Sequence, residues 1–167
     1  MTPAQLTTLR AAIFASVNPA VIAARQSLDD TALAALYNLP STYVAWRTDV
    51  TRAQIYHSTS DEGTTWDWTK YVSQSLSEQN AWVQIFMGDQ ANFSLDNLRA
   101  GIDKIFSGAG SAAQRAHIAA VAKRKATEAE KVFASTGGGV GTTALPGKMS
   151  WQGTVTAQDM SDALAAA

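Results

Sequence analysis

The chain of 167 residues has no cysteine. Disulfides, thiolate nucleophiles and cysteine-ligated zinc are therefore excluded. It has two histidines, His57 and His117. Neither stands in an H-x-x-x-H or H-E-x-x-H spacing, so no metal site is expected. His117 falls in a helical pattern and reads as a surface or interface residue. Charge is also scarce: 16% of residues are charged, against about a quarter in ordinary domains. Much of the surface must then be Ala, Ser, Thr, Asn and Gln, which suits protein contact because little charge has to be desolvated. The net charge of −1 argues against a nucleic-acid footprint over the whole domain. No apolar run approaches the roughly 18 residues of a membrane span. The opening "MTPAQLTTLR" lacks the basic and apolar regions of a secretory signal. The expectation is a protein made in the cytoplasm with no membrane contact.

What the chain does have is glycine in one place, "STGGGVGTTALPGKMSW" from Ser135 to Trp151. A phosphate-binding loop needs Gly, four residues, then Gly-Lys-Ser/Thr. Here Met149 follows Gly147-Lys148, and Thr142 stands where the first glycine belongs. A dinucleotide fingerprint fails as well, because a helical pattern precedes the glycines and Pro146 follows them. There is no G-x-S-x-G elbow and no motif that pairs carboxylates. No catalytic residue, metal or cofactor is assigned. The stretch reads as a flexible hinge at Gly137, Gly138, Gly139 and Gly141.

Helical patterning dominates the rest. Thr2, Pro3 and Gln5 form a cap, a first-turn proline and a capping-box partner for a helix over 3–16. Asn18-Pro19 restarts the pattern, and Asp29 or Asp30 caps a third helix stopped by Pro40. "TYVAWRTDV" reads as a short strand or buried extended segment, and Thr48 or Asp49 as the cap of the next helix. "WDWTKYV" alternates and reads as extended. Two helices follow, with Ser77 and Ser94 as caps. The longest helix is expected from Ser111 to about Ala134, and Thr156 with Asp159 caps a terminal one. The predicted architecture is mainly α. A helical bundle over 1–134 carries short extended segments, and an extended docking arm over 135–167 ends in a short helix.

Two features suggest contact. From Arg99 to Lys131 there are seven basic and three acidic residues. On a helix, Lys123-Arg124-Lys125 would spread over about 300°, giving a solvated face or an electrostatic contact with an acidic partner or passing DNA. Five tryptophans are present, and Trp151 lies beyond the glycines. A ring that large is costly to leave in water, so Trp151 should dock on its own domain or on a neighbour.

The segment from Val132-Phe133-Ala134 through Thr136–Thr143, Met149–Gly153 and Val155–Met160 resembles the C-terminal ends of small virion proteins of tailed bacteriophages. The Val44–Val50 stretch and the opening "MTPAQLTTLRAAI" are similar to the same group, whereas 59–74 is not. The resemblance implies a structural virion protein like the head-to-tail adaptors of the neck. Such a protein forms a homo-oligomeric ring, dodecameric by that likeness, and binds the phage portal protein and a downstream neck or tail protein. Head-completion, tail-completion and minor capsid proteins are the alternatives, with a small peptidoglycan hydrolase further off. The arm would place Met149, Trp151, Val155, Met160 and Leu164 against the partner.

Overall fold

The computed structural model describes residues 1–60, 63–138 and 145–166. The chain opens with helices α1 (Pro3–Ala15), α2 (Pro19–Gln26) and α3 (Asp30–Tyr37), then strand β1 (Pro40–Trp46). Next come β2 (Val50–Thr51), α4 (Arg52–His57), α5 (Trp68–Val72), α6 (Leu76–Ile85), β3 (Gln90–Ala91), α7 (Asp96–Ile105) and α8 (Ala112–Val121). The last elements are β4 (Lys123–Thr127), α9 (Glu128–Val132), β5 (Ala134–Gly138), β6 (Leu145–Met149) and α10 (Ala157–Ala165).

These elements form two compact units. Unit 1 holds residues 1–45 and 125–167, and unit 2 holds 46–124. The chain leaves unit 1 within β1 and returns to it within β4, so unit 2 is an insertion. The expected division at residue 135 falls inside unit 1.

The expected mainly α bundle with short extended segments is corrected to a mixed α/β fold. A four-stranded sheet runs in the order β4-β1-β6-β5. Strand β6 lies parallel to β1, with Ala45 opposite Gly147. It is antiparallel to β5, with Ala134 opposite Met149 and Gly138 opposite Leu145. The register slips twice along β5–β6. Glycine-rich backbone tolerates such irregularity because no Cβ resists the kink.

The long helix expected from Ser111 to Ala134 does not form. It is replaced by α8, β4 and α9. The break is written in the sequence at Thr127, which accepts from the Glu130 amide at 3.1 Å while Glu130 accepts from the Thr127 amide at 2.9 Å. That reciprocal capping box starts a new helix, so the residues before it must leave helical geometry. Ser41 ties β4 in place, its hydroxyl donating to the Ala126 carbonyl at 2.9 Å.

Other starts and stops follow local chemistry. Thr2 and Gln5 form the expected capping box. Asp67 caps α5 through the amides of Thr69 and Lys70, which turns the "WTKYV" stretch helical instead of extended. Thr51, not Thr48 or Asp49, caps α4. Ser75, not Ser77, caps α6. Ser94 binds Asn92 and leaves α7 without a side-chain cap.

The two units bury different cores. Unit 1 packs Leu9, Ile13, Leu33, Ala129, Val155, Met160 and Ala163, with α10 against α3 and α1. Unit 2 packs Trp66, Trp82, Phe86, Phe93 and Phe106 with Ile55, Ile102 and Ile118. Its two short strands pair antiparallel, Val50 opposite Ala91.

Candidate functional site

The residues assigned to a docking arm belong to unit 1. Val155 and Met160 are buried in its core, and Leu164 is half-buried against it. Three groups fasten the segment that leads to α10. Asn38 donates to the Val155 carbonyl at 2.8 Å and accepts from the Val155 amide at 2.9 Å. Glu130, itself buried, accepts from the Gly153 amide at 3.0 Å. The Ser150 amide donates to the Phe133 carbonyl at 2.9 Å. Trp151 packs on Phe133 with ring centroids 5.4 Å apart. Its docking place is its own unit, one of the two options open in the sequence. Met149 is half-buried in β6. Gly137 and Gly138 lie in β5 rather than in a hinge. Gly139 and Gly141 fall outside the described residues.

Thr156 caps α10 and holds the Asp159 carboxyl below its ordinary pKa, first through its hydroxyl and then through its amide. Val155 and Met160 sit at the staple positions of that cap, which is why both are buried. In the same unit, burial pushes the Tyr37 hydroxyl up to about 12, with Glu128 adding and Arg25 opposing.

Lys123, Arg124 and Lys125 lie on β4, where neighbouring side chains alternate between faces. Lys123 and Arg124 are half-buried and Lys125 is exposed. The run is therefore split across the sheet instead of around a helix. Arg124 adds to the pull that keeps the Asp49 carboxyl low, a pull led by the hydrogen bond from Arg47.

Unit 2 carries the more prominent surface. Its aromatic core reaches outward: Trp66 stacks on Trp82 at 5.4 Å, Tyr56 lies 4.7 Å from both Trp66 and Trp68, and Tyr71 borders the two tryptophans. Trp66 is buried, whereas Trp68 is 51% exposed. Trp82 donates its indole N–H to the Tyr56 hydroxyl at 2.9 Å, and burial holds that hydroxyl above its ordinary pKa. From Trp68 the exposed apolar side chains continue along α5 and α6 as Val72, Leu76 and Val83, and just past α6 as Met87. Between Tyr71 and Gly88 the one charged residue is Glu78. Its carboxylate is taken up by the cap, accepting from the Ser75 amide and hydroxyl, which hold its pKa low. The exposed side of α6 is otherwise Ser77, Asn80, Ala81 and Gln84. Neutral, weakly hydrated surface of this kind is cheap to cover with protein.

His117 corrects the expectation of a surface histidine: it is fully buried. Its Nε2 donates to the Ile55 carbonyl at 2.8 Å, and Nδ1 shares a hydrogen bond with the Thr64 hydroxyl at 3.1 Å. Thr64 in turn pairs with Ser60 at 2.7 Å. A hydroxyl beside an imidazole resembles a nucleophile and base, but both ring nitrogens are engaged and the ring touches no solvent. Together with Gln114, which accepts from the Asp67 amide at 3.0 Å, His117 pins Thr64 and Asp67 onto α8. The signal was present in sequence, because Gln114, His117, Ile118 and Val121 recur at helical spacing. Two polar residues in that stripe hid it. Among the described residues no three His, Asp or Glu side chains gather as metal ligands.

The chain matches no protein-family model, no curated protein and no solved structure.

Proposed function

We propose that this chain is a structural virion subunit, a head-to-tail adaptor that assembles as a homo-oligomeric ring on the portal and connects it to the tail or the next neck ring. The observation that carries the assembly part is the α5–α6 surface of unit 2. Trp68, Val72, Leu76, Val83 and Met87 stand exposed on a stretch whose charged residues are Lys70 and Glu78. A subunit that spent its life alone would gain from charge there, since exposed apolar patches invite association. A ring repeats one such contact around its axis, so a modest interface is multiplied by symmetry. The virion part rests on the likeness of Val44–Val50 and Val132–Met160 to small virion proteins of tailed bacteriophages. In this reading the surface offered to the next copy is on unit 2, and the C-terminal segment completes the fold of unit 1.

Native mass spectrometry of the purified chain, alone and with portal, tests the ring. A closed oligomer is expected, and Val72→Glu with Leu76→Glu should reduce it to monomer without loss of helicity. Mass spectrometry of purified particles tests the station. A copy number matching the portal is expected, hundreds of copies would move the protein to the capsid shell, and absence from the particle would end the proposal.

A further inference from the structure

The first 28 residues contain no carboxylate and two arginines, Arg10 and Arg25. Both are carried on the α1–α2 pair, whose axes turn by 114° at the break between them. Their guanidinium carbons lie 5.0 and 4.8 Å from the centroid of one ring, that of Phe14. Phe14 is 52% exposed, and Val17, in the turn that follows, is 89% exposed. Neither arginine makes an ion pair with a described residue. By contrast Arg47, Arg99, Arg115 and Lys131 each face a carboxylate.

A structural role accounts for Arg25. It donates to the carbonyls of Ile13 and Phe14 and so closes the C-terminal end of α1. Arg10 has no such bond: its Nε is buried and makes no hydrogen bond with a described residue. Two like charges on one ring repel each other, and no described carboxylate stands within ion-pair distance of either. Cation–π contact with Phe14 offsets part of that cost. On the same face of α1, Thr7 and Ala11 are small, exposed and uncharged, so a partner's backbone can approach closely.

We propose that Arg10, Phe14, Val17 and Arg25 form a docking surface for an acidic segment of a partner protein, in which a carboxylate sits beside an apolar side chain. The arginine forks match a carboxylate in two-point contact. Phe14 and Val17 supply the desolvated apolar floor that such pairs need, and Arg with aromatic residues is the usual make-up of an interface hot spot. Protein is favoured over nucleic acid because two cations are too few for a phosphate track and apolar groups occupy the space between them. The surface is argued from unit 1 alone and stands or falls apart from the ring on unit 2.

The test pans a displayed library of short random peptides against the full chain, then measures the enriched peptides by fluorescence anisotropy. Enrichment of Asp or Glu next to Leu, Ile or Phe is expected. Binding should weaken with salt and fall about tenfold or more in Arg10→Glu and in Val17→Asp. Val17 is exposed enough that its variant should keep the parent's circular dichroism and thermal midpoint, which separates lost docking from lost folding. No enrichment, enrichment without carboxylates, or affinity unchanged in both variants overturns the proposal. A single-stranded oligonucleotide that binds and is lost in the same variants assigns the surface to nucleic acid instead. Self-association lost in them assigns it to a second copy of this chain.

Discussion

Unit 2 is built from one unbroken stretch of chain, whereas unit 1 is assembled from both sides of it. The core of unit 2 sets five aromatic rings, Trp66, Trp82, Phe86, Phe93 and Phe106, among aliphatic side chains, and its ring contacts are closed by neighbours in sequence: Trp66 on Trp82, Trp82 on Phe86, Trp82 on Phe106. The core of unit 1 is mostly aliphatic and places Leu9 and Leu33 with Met160 and Ala163. Its contacts must wait until the whole of unit 2 has been passed, and such non-local closure is slow and entropically costly. Autonomy and dependence are thus divided between the units. The same chemistry that looked like a loose appendage, glycines followed by a short helix, is what lets the dependent unit close.

The largest effect should come from ending the chain after residue 138, which removes β6 and α10. Unit 1 then loses the strand between β1 and β5 and the helix on α1 and α3. Its amides should exchange freely with solvent while those of 46–124 stay protected. Loss of protection in both units would break the comparison. Next, core truncations should act on one unit each. Trp82→Ala should cost unit 2 about 3–5 kcal/mol and Met160→Ala should cost unit 1 about 2–5 kcal/mol. Trp151 is the one tryptophan of unit 1, so its emission, isolated by replacing the others with Phe, should follow Met160→Ala. If both truncations shift one common transition, the units fold together.

A smaller loss is expected from Asn38→Ala. It leaves the amide and carbonyl of Val155 without their partner, at about 1–3 kcal/mol, read as a lower denaturant midpoint for unit 1. The smallest effects are in pH. Tyr37 has its pKa raised to about 12, so the stability it contributes is complete below pH 10 and drains away as pH rises toward 12. Tyr37→Phe should remove that alkaline loss from unit 1, leaving any loss from Tyr56 in unit 2. Asp159 has its pKa lowered. Its contribution is present above about pH 4, the ordinary carboxylate value, and fades as pH falls through the lower folded value. Asp159→Asn should flatten the acid limb of unit 1.

Much of the helix content was legible because caps are local. Thr2 with Gln5, Asn18 with Pro19, Asp29, and Thr156 with Asp159 each mark a start with chemistry confined to four residues. The sheet was not legible. "KRKAT" contains good helix formers and "LPGKM" contains proline and glycine, so propensity pointed away from strand in both. Tertiary pairing decided them. One overlooked signal was the Thr127–Glu130 box, which forbids an uninterrupted helix to Ala134. The α5–α6 surface was half legible. Trp66 and Trp68 alternate in sequence, but which one faces outward depends on Asp67 turning the stretch helical. The paired arginines on Phe14 were invisible, because Arg25 reaches Phe14 only after the turn at residues 16–18.

The path of the chain, out through β1 and back through β4, also sets how the molecule carries load. Tension applied at α1 and α10 is borne within unit 1, where those helices pack. The inserted unit lies outside that path until the contacts of β1 and β6 give way. Under mechanical stretching the aliphatic unit should act as the fuse and the aromatic unit as the reserve, with two separate extension steps in that order.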